Sequence, residues 1–407
     1  MTTSQHRPDD SIAALLERSL KSAEPWMIDI RRDIHAHPEL GFDTTRTAAL
    51  VARELRKLGL SPKEAVGRTG VVAELQGALS GPCLLIRADM DALPIAEQTG
   101  LPYASKTTGA MHACGHDIHT ATLLGVARIL AAQTDSIAGT VRLVFQPAEE
   151  TSVSGAAAMV ADGVTDGTHM CLSFHNEPEL PVGKFGYTRG SPNASCDDFE
   201  ILIRGRSAHA SRPHAGVDPI VIAAAIVMQL QTIVSRITDP SDTAVLSIGH
   251  IHGGSANNVI AADCVLRGTF RCRSPTSRLA TETALRRICE GVSAAMGTSC
   301  SIKLSGGTPA LVNDNAILNA ALAAITRQYG EHSLVPVPGK FQSEDFAFIS
   351  ERVPGCQLLI GSCKPGRHDQ LHTSSYDPDE RCIGTAAVAL ARIALDFLTL
   401  PATAASL

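Results

Sequence analysis

CLLIRADMDALP, residues 83–94, runs apolar over four residues and then breaks into charge at Arg87, Asp89 and Asp91. A short apolar run closed by charge and proline reads as a strand covered on both faces. Strands of this kind build α/β sheets flanked by helices, where ligands bind beyond the strands' carboxyl ends. Asp89 and Asp91 therefore fall at the expected edge of a site.

The neighbouring segments repeat the pattern. Residues 11–36 and 44–59 carry apolar positions at helical spacing, the second stopping at LGL before Ser61 and Pro62, and GVVAEL (70–75) reads as a strand. Downstream, MHACGHDIHT (111–120) stands at the entrance of a helix expected over 118–133. TVRLVFQPAEE (140–150) is a strand broken by Pro147 and ending in two carboxylates, GAAAMVADG (155–163) a helix, and MCLSFHNEP (170–178) a strand finishing at His175. Three strands thus end in metal-binding types of side chain, which a layered sheet brings to one edge.

Near residue 190 the style changes. DDFEILIRGRSAH (197–209), AVLSIGHIHGG (244–254) and ADCVLRGTFRCR (262–273) alternate like half-exposed strands, and SCSIKLSG (299–306) adds a fourth. Helical patterns at 216–237 and 277–297 complete a strand–helix–strand–strand–helix–strand unit, an α+β, ferredoxin-like sandwich. From about 310 the first style resumes, as in GCQLLIG (355–361). The expected organisation is one α/β domain, residues 1–193 and 308–407, interrupted by an inserted domain over 194–307.

Composition narrows the function classes. The 407 residues are 44% hydrophobic and 19% charged, with a formal charge of −6 and no Lys/Arg-rich run, which argues against nucleic acid as a partner. The first twenty residues lack a signal peptide's basic end and long apolar segment, and the apolar run VIAAAIVMQL (221–230) is short for a bilayer. These features read as a cytoplasmic protein with no membrane partner. Eleven cysteines show no CxxC pair, and Cys83, Cys171, Cys264 and Cys356 lie in apolar runs as small buried hydrophobes.

Cys114, His116, Glu150, His175 and the later His372 in LHTSSYD combine thiol, imidazole and carboxylate, a donor set for zinc, manganese, cobalt or nickel. Five such residues can hold two ions with positions left open, which suits catalysis. Taken singly, a histidine at a strand end or an adjacent Glu149–Glu150 pair is as readily structural. Jointly they are hard to bury without a cation.

RRDIHAHPELGF (31–42), RADMDALP (87–94), MHACGHDIHTATLLG (111–125), FQPAEE (145–150), SAHASRPHAGVDPI (207–220), SEDF (343–346) and LHTSSYD (371–377) resemble the motifs of the M20 metallopeptidases. The likeness is to the amidohydrolase branch of hippurate hydrolases, N-acyl-amino-acid amidohydrolases and auxin-conjugate hydrolases. It implies a zinc-peptidase-like catalytic domain with an inserted dimerisation or lid domain. It further implies two divalent ions per subunit, manganese or zinc with cobalt or nickel as alternatives, held by Cys114, His116, Glu150, His175 and His372. Glu149 is the implied general base, and Asp91 steers the ligands or the base. His209 is the implied oxyanion donor, reaching the site of a partner in a homodimer or tetramer. Asn258 and Arg271 are candidate anchors for a substrate carboxylate. Asp117, His112 and His119 are read as structural supports.

The implied reaction cleaves the amide of an N-acyl amino acid. Alternatives are a dipeptidase or carboxypeptidase of the same fold, a hydrolase using Cys114 as nucleophile, and a metal-binding homologue without catalysis.

Overall fold

The computed structural model describes residues 8–367 and 369–399; residues 1–7, 368 and 400–407, included in the domain limits expected from sequence, lie outside the described residues. The described residues form two compact units, one within Met1–Pro192, Asn313–Pro338 and Phe348–Leu407, the other within Asn193–Val312 and Gly339–Ala347.

The first unit is built on an eight-stranded mixed sheet. Its order is Lys63–Val66, Gly70–Gln76, Ala138–Gln146, Leu79–Asp89, Met170–Pro181, Gly355–Cys363, Phe185–Tyr187 and Leu334–Pro336. The central four strands, 138–146 to 355–363, run parallel. Leu84, Leu85 and Ile86 are wholly buried, as the apolar run requires of a central strand. Each such side chain removed from water contributes about 1.5–3 kcal/mol.

Helices Pro8–Ala36, His116–Ala131, Asn315–Tyr329 and Arg381–Thr399 supply much of the core, among them Met27, Leu123, Leu124, Ile325 and Leu390. The helix 116–131 is apolar almost all round, and its buried residues run from His116 to Leu130 with Arg128 apart. That makes it a central helix rather than a surface one. It starts after Gly115, whose left-handed φ of 87° turns the preceding loop sharply into the first turn.

The second unit is a four-stranded antiparallel sheet in the order Cys300–Thr308, Cys196–Arg204, Asp263–Cys272, Ala244–Gly253. Helices Pro219–Thr232 and Pro275–Ala295 bury Ile222, Ile226, Leu230, Leu285 and Cys289 with Phe199, Ile201 and Leu266 of the sheet. The first helix continues as a π turn, Ile233–Ile237, so it is longer than the apolar run 221–230. By length and composition alone the whole span 219–237 would cross a membrane. Here its apolar residues split between this core and an exposed face.

Segment 339–347 belongs to the second unit although it lies far beyond 307 in sequence. Lys340 bridges Asn193, the Gln342 carbonyl accepts the Ala194 amide, and the Phe341 carbonyl accepts from Arg271.

Candidate active site

At the carboxyl ends of the central strands of the first unit, five side chains from four segments converge. Cys114 Sγ lies 3.4 Å from His175 Nε2 and 3.3 Å from His372 Nε2. His372 Nε2 is 3.1 Å from Glu150 Oε1, and His116 Nε2 is 3.9 Å from the same oxygen. Two triads, Cys114–His116–His175 and Cys114–Glu150–His372, share the thiol. Separations near 3.5 Å match the edges of a tetrahedron with metal–ligand bonds of about 2.0–2.3 Å.

Backbone geometry aims these groups. Strand 138–146 ends at Gln146, and Ala148 turns at a positive φ of 53°. Asp91, buried, then accepts the backbone amides of Glu149 and Glu150. His372 also has a positive φ, 62°, and its amide donates to the Ala113 carbonyl at 2.8 Å. Strained non-glycine residues next to ligand positions are typical of functional sites. His175 Nδ1 donates to the Asn176 carbonyl at 2.8 Å, which leaves Nε2 facing the cluster.

Behind the ligands lies a second layer of buried charge. His119 stacks on His116 at 5.3 Å between ring centroids, and its Nδ1 donates to Asp89 Oδ1 at 2.5 Å. The Asn176 amide donates to His119 Nε2 at 3.1 Å. Arg87, fully buried, donates to Asp89 Oδ2 at 2.8 Å. Burial alone would push the Asp89 carboxyl up, but His116, Arg87 and His119 outweigh it and hold it well below the usual range. Burial, reinforced by His119, pushes His175 down to about 3, so this imidazole stays neutral as a ligand must.

Both ring nitrogens of His116 and Oε1 of Glu150 are buried and find no hydrogen-bond partner among the described residues. Leaving them so is costly. Burial, with Glu150 beside it, also holds the Cys114 thiol well above its ordinary range. A divalent cation would pair the orphaned nitrogen and oxygen lone pairs and displace the thiol proton, so the donor set fits a metal.

The remaining expected site residues lie in the second unit. His209 is exposed, and its Nδ1 is held by the Ser211 hydroxyl at 2.8 Å and by the Ser211 amide at 3.1 Å. Asn258 is exposed and its carbonyl accepts the Ala210 amide. Arg271 is half-buried and donates to the Phe341 carbonyl at 3.1 Å. His119 and Asp89 back the cluster as a support and a site-edge carboxylate, and Asn176, for which the sequence carries no expectation, joins them.

Residues 85–396 match the model of peptidase family M20/M25/M40. An N-acetyl-L-cysteine deacetylase of Bacillus subtilis (strain 168) is 40% identical over 365 residues, covering 90% of this chain and 86% of that protein. The hippurate hydrolase of Campylobacter jejuni is 37% identical over 376 residues, covering 91% and 96%. Among solved structures, the Bacillus subtilis YXEP protein, described as a dinuclear metal binding peptidase from the M20 family, matches with a TM-score of 0.82 and 36% identity over 93% of this chain and 99% of that one. A protein from methicillin resistant Staphylococcus aureus matches with a TM-score of 0.92 and 33% identity, over 95% and 99%. With the sheet, the clustered donors and these likenesses in agreement, the chain belongs to peptidase family M20/M25/M40, in its amidohydrolase branch, and is an amide-bond hydrolase.

Proposed function

We propose that the protein is a metal-dependent deacylase of N-acyl amino acids, releasing a carboxylate and a free amino acid. The observation that carries this reading is the pair of triads sharing Cys114, set beside a carboxylate, Glu149, that is half-buried at the same edge. Cys114, His116, Glu150, His175 and His372 would hold two divalent ions, manganese or zinc, with cobalt or nickel as alternatives.

Bound there, divalent ions acidify a water and polarise the scissile carbonyl. Glu149 takes the proton from the attacking water and returns it to the departing amine, so its carboxylate must stay within reach of both positions. Asp91 holds that carboxylate in place through two backbone amides. His209 is the proposed donor to the developing oxyanion, offered by the partner chain, and Asn258 and Arg271 the proposed anchors for the substrate carboxylate. Relatives named as N-acetylcysteine deacetylase and hippurate hydrolase support an acyl amino acid as substrate.

A homodimer through the second unit is part of the proposal. Among the described residues, strand 244–253 pairs on one side only. Beside it, helix 219–232 exposes Val221 and Met228, and Ala224, Val227, Met228, Ile248 and Ile251 line a groove. An open apolar edge of this kind calls for cover, and a second copy pairing about a two-fold axis supplies it.

The test is a panel of acetyl, benzoyl, indole-acetyl and long-chain acyl amino acids with dipeptides as controls. Each is assayed on chelator-stripped protein and after adding each metal. Metal-dependent release of free amino acid from the acyl substrates is expected. Turnover that survives exhaustive metal removal, or is confined to dipeptides, would overturn the reading.

A further inference from the structure

His35, in the last turn of helix 8–36 and fully buried, places Nδ1 2.8 Å from Asp117 Oδ2 and Nε2 3.2 Å from Glu97 Oε1. Asp117 directly follows His116, and Arg31 Nε donates to the same Asp117 oxygen at 2.7 Å. Glu97 in turn closes the loop over 94–110: it accepts the Ser105 amide at 2.6 Å and the Thr99 hydroxyl. The Lys106 amide ties this loop to the Ala36 carbonyl at 2.9 Å. Gln98, beside Glu97, donates its amide at 2.8 Å to the carbonyl of Ser374, two residues past His372.

We propose that His35 is a positioning residue that sets the spacing of two ligand-bearing segments: through Asp117 the helix turn with His116, and through Glu97 and Gln98 the loop with His372. The inference rests on the metal reading given above. A neutral imidazole has one donor and one acceptor, so a ring with carboxylates at both nitrogens donates to both only as the imidazolium. Burial opposes that cation and so does Arg31, 3.4 Å from Nδ1, but Asp117 and Glu97 outweigh them. The His112 ring lies 6.3 Å away between centroids. Tyr103 meets the ring edge-on at 5.6 Å. Packing alone would engage neither nitrogen. A rigid ring bonded at both ends fixes the distance between its partners, and supports of this kind are worth about 10–100-fold in metal affinity.

Asparagine sets its amide nitrogen near the place of Nδ1, and glutamine near that of Nε2. His35→Asn therefore keeps the bond to Asp117 and gives up Glu97, whereas His35→Gln does the reverse. Metal-free protein is titrated with Co²⁺ while the thiolate-to-cobalt absorption and the binding isotherm are followed. His35→Gln is expected to weaken the ion held by Cys114, His116 and His175. His35→Asn should weaken the ion held by Cys114, Glu150 and His372, each by about tenfold or more. Wild-type affinity at both ions in both variants, or equal losses at both, would overturn the assignment. If neither variant folds, Glu97→Gln carries the test: a loss at the His372-side ion alone supports the proposal, and unchanged binding overturns it. Wild-type protein that takes up no Co²⁺ would sink the metal reading itself, a different result from any of these.

Discussion

Asp91 Oδ1 accepts the backbone amide of Glu149 at 3.0 Å, and its second oxygen accepts that of Glu150 at 3.1 Å. One buried carboxylate so orients a proposed base and a proposed ligand at once, with His116 Nδ1 3.4 Å away. Asp91→Asn turns an NH₂ group toward one of the two amides and loses that bond. The expected result is kcat lower by about 10–100-fold with metal still bound. Steady-state kinetics with metal analysis checks this, and an unchanged kcat would show that the glutamates are held by something else.

Glu149 and Glu150 are neighbours with separate proposed tasks, so their variants should part company. Glu149→Gln is expected to retain both ions and to lose about 10²–10⁴-fold in kcat, the usual weight of a general base. Glu150→Gln exchanges one oxygen for NH₂ and removes the negative charge of a carboxylate whose Oε1 lies 3.1 Å from His372 Nε2, and should lose metal first. Metal content measured beside turnover separates the two, and equal metal loss in both would contradict the division.

Gly115 is required twice over. Its φ is 87°, and an added Cβ would run into the Asn176 carboxamide, 2.7 Å from Cγ. That carboxamide is itself bonded to the Tyr376 hydroxyl. Gly115→Ala should lower the melting temperature and weaken metal binding, since left-handed alanine alone costs about 1–2 kcal/mol before any clash. Pairing it with Asn176→Gly makes room and should recover part of the loss over the two single changes. Strict additivity in a thermal-melt cycle would place the strain elsewhere.

Asp91 was legible because an apolar run that breaks into charge shows its ligand end without any structure, and His175 because it is the first strongly polar side chain after an apolar run. The strand expected to finish at His175 in fact continues to Pro181, paired with strand 355–363. His372 sits at a left-handed backbone position outside any helix or strand and has no periodicity to place it, so it entered the donor set by residue type and by the resemblance of LHTSSYD. SEDF (343–346) was legible as a motif, but not the place of segment 339–347 in the second unit, because backbone pairings such as Lys340 with Asn193 join residues far apart in sequence and leave no local pattern. His119 was read from sequence as a support, but its partner Asn176 was hidden for a different reason. Buried polar residues that face each other across a helix and a strand look, in sequence, like ordinary core positions interrupted by polarity. Arg31 and His35, one turn apart in RRDIHAH, carried the one usable signal: charge on a helix that otherwise buries Met27, Ile30 and Ile34.

The exposed face of helix 219–232 offers a test of assembly that leaves the proposed metal site untouched. Met228 is 69% exposed and Ile251 on the open edge strand 54%. Charges placed there, Met228→Asp with Ile251→Asp, should convert a dimer to monomer in light scattering while the far-ultraviolet spectrum is kept. Desolvating like charges across a two-fold axis is unfavourable in both halves at once. A double variant that runs at the wild-type mass would mean that this face is not the interface.

The His35–Glu97 pair gives stability a pH window. Burial would raise Glu97, but His35, Thr99 and the Ser105 amide outweigh it and hold the carboxyl at about 2 against an ordinary 4.5. A depressed carboxyl contributes stability that is complete above 4.5 and drains away as pH falls toward 2. His35 moves the other way: burial would lower it, yet Asp117 and Glu97 raise it above 6.5. Its contribution is complete below 6.5 and is lost as pH rises through the folded value. The metal-free wild type should therefore out-melt Glu97→Gln by the widest margin between pH 4.5 and 6.5, with the margin shrinking on both sides. Thermal melts of the two proteins across that range read the margin directly. A difference that stays flat with pH would mean that Glu97 packs in the loop without pairing to the imidazolium.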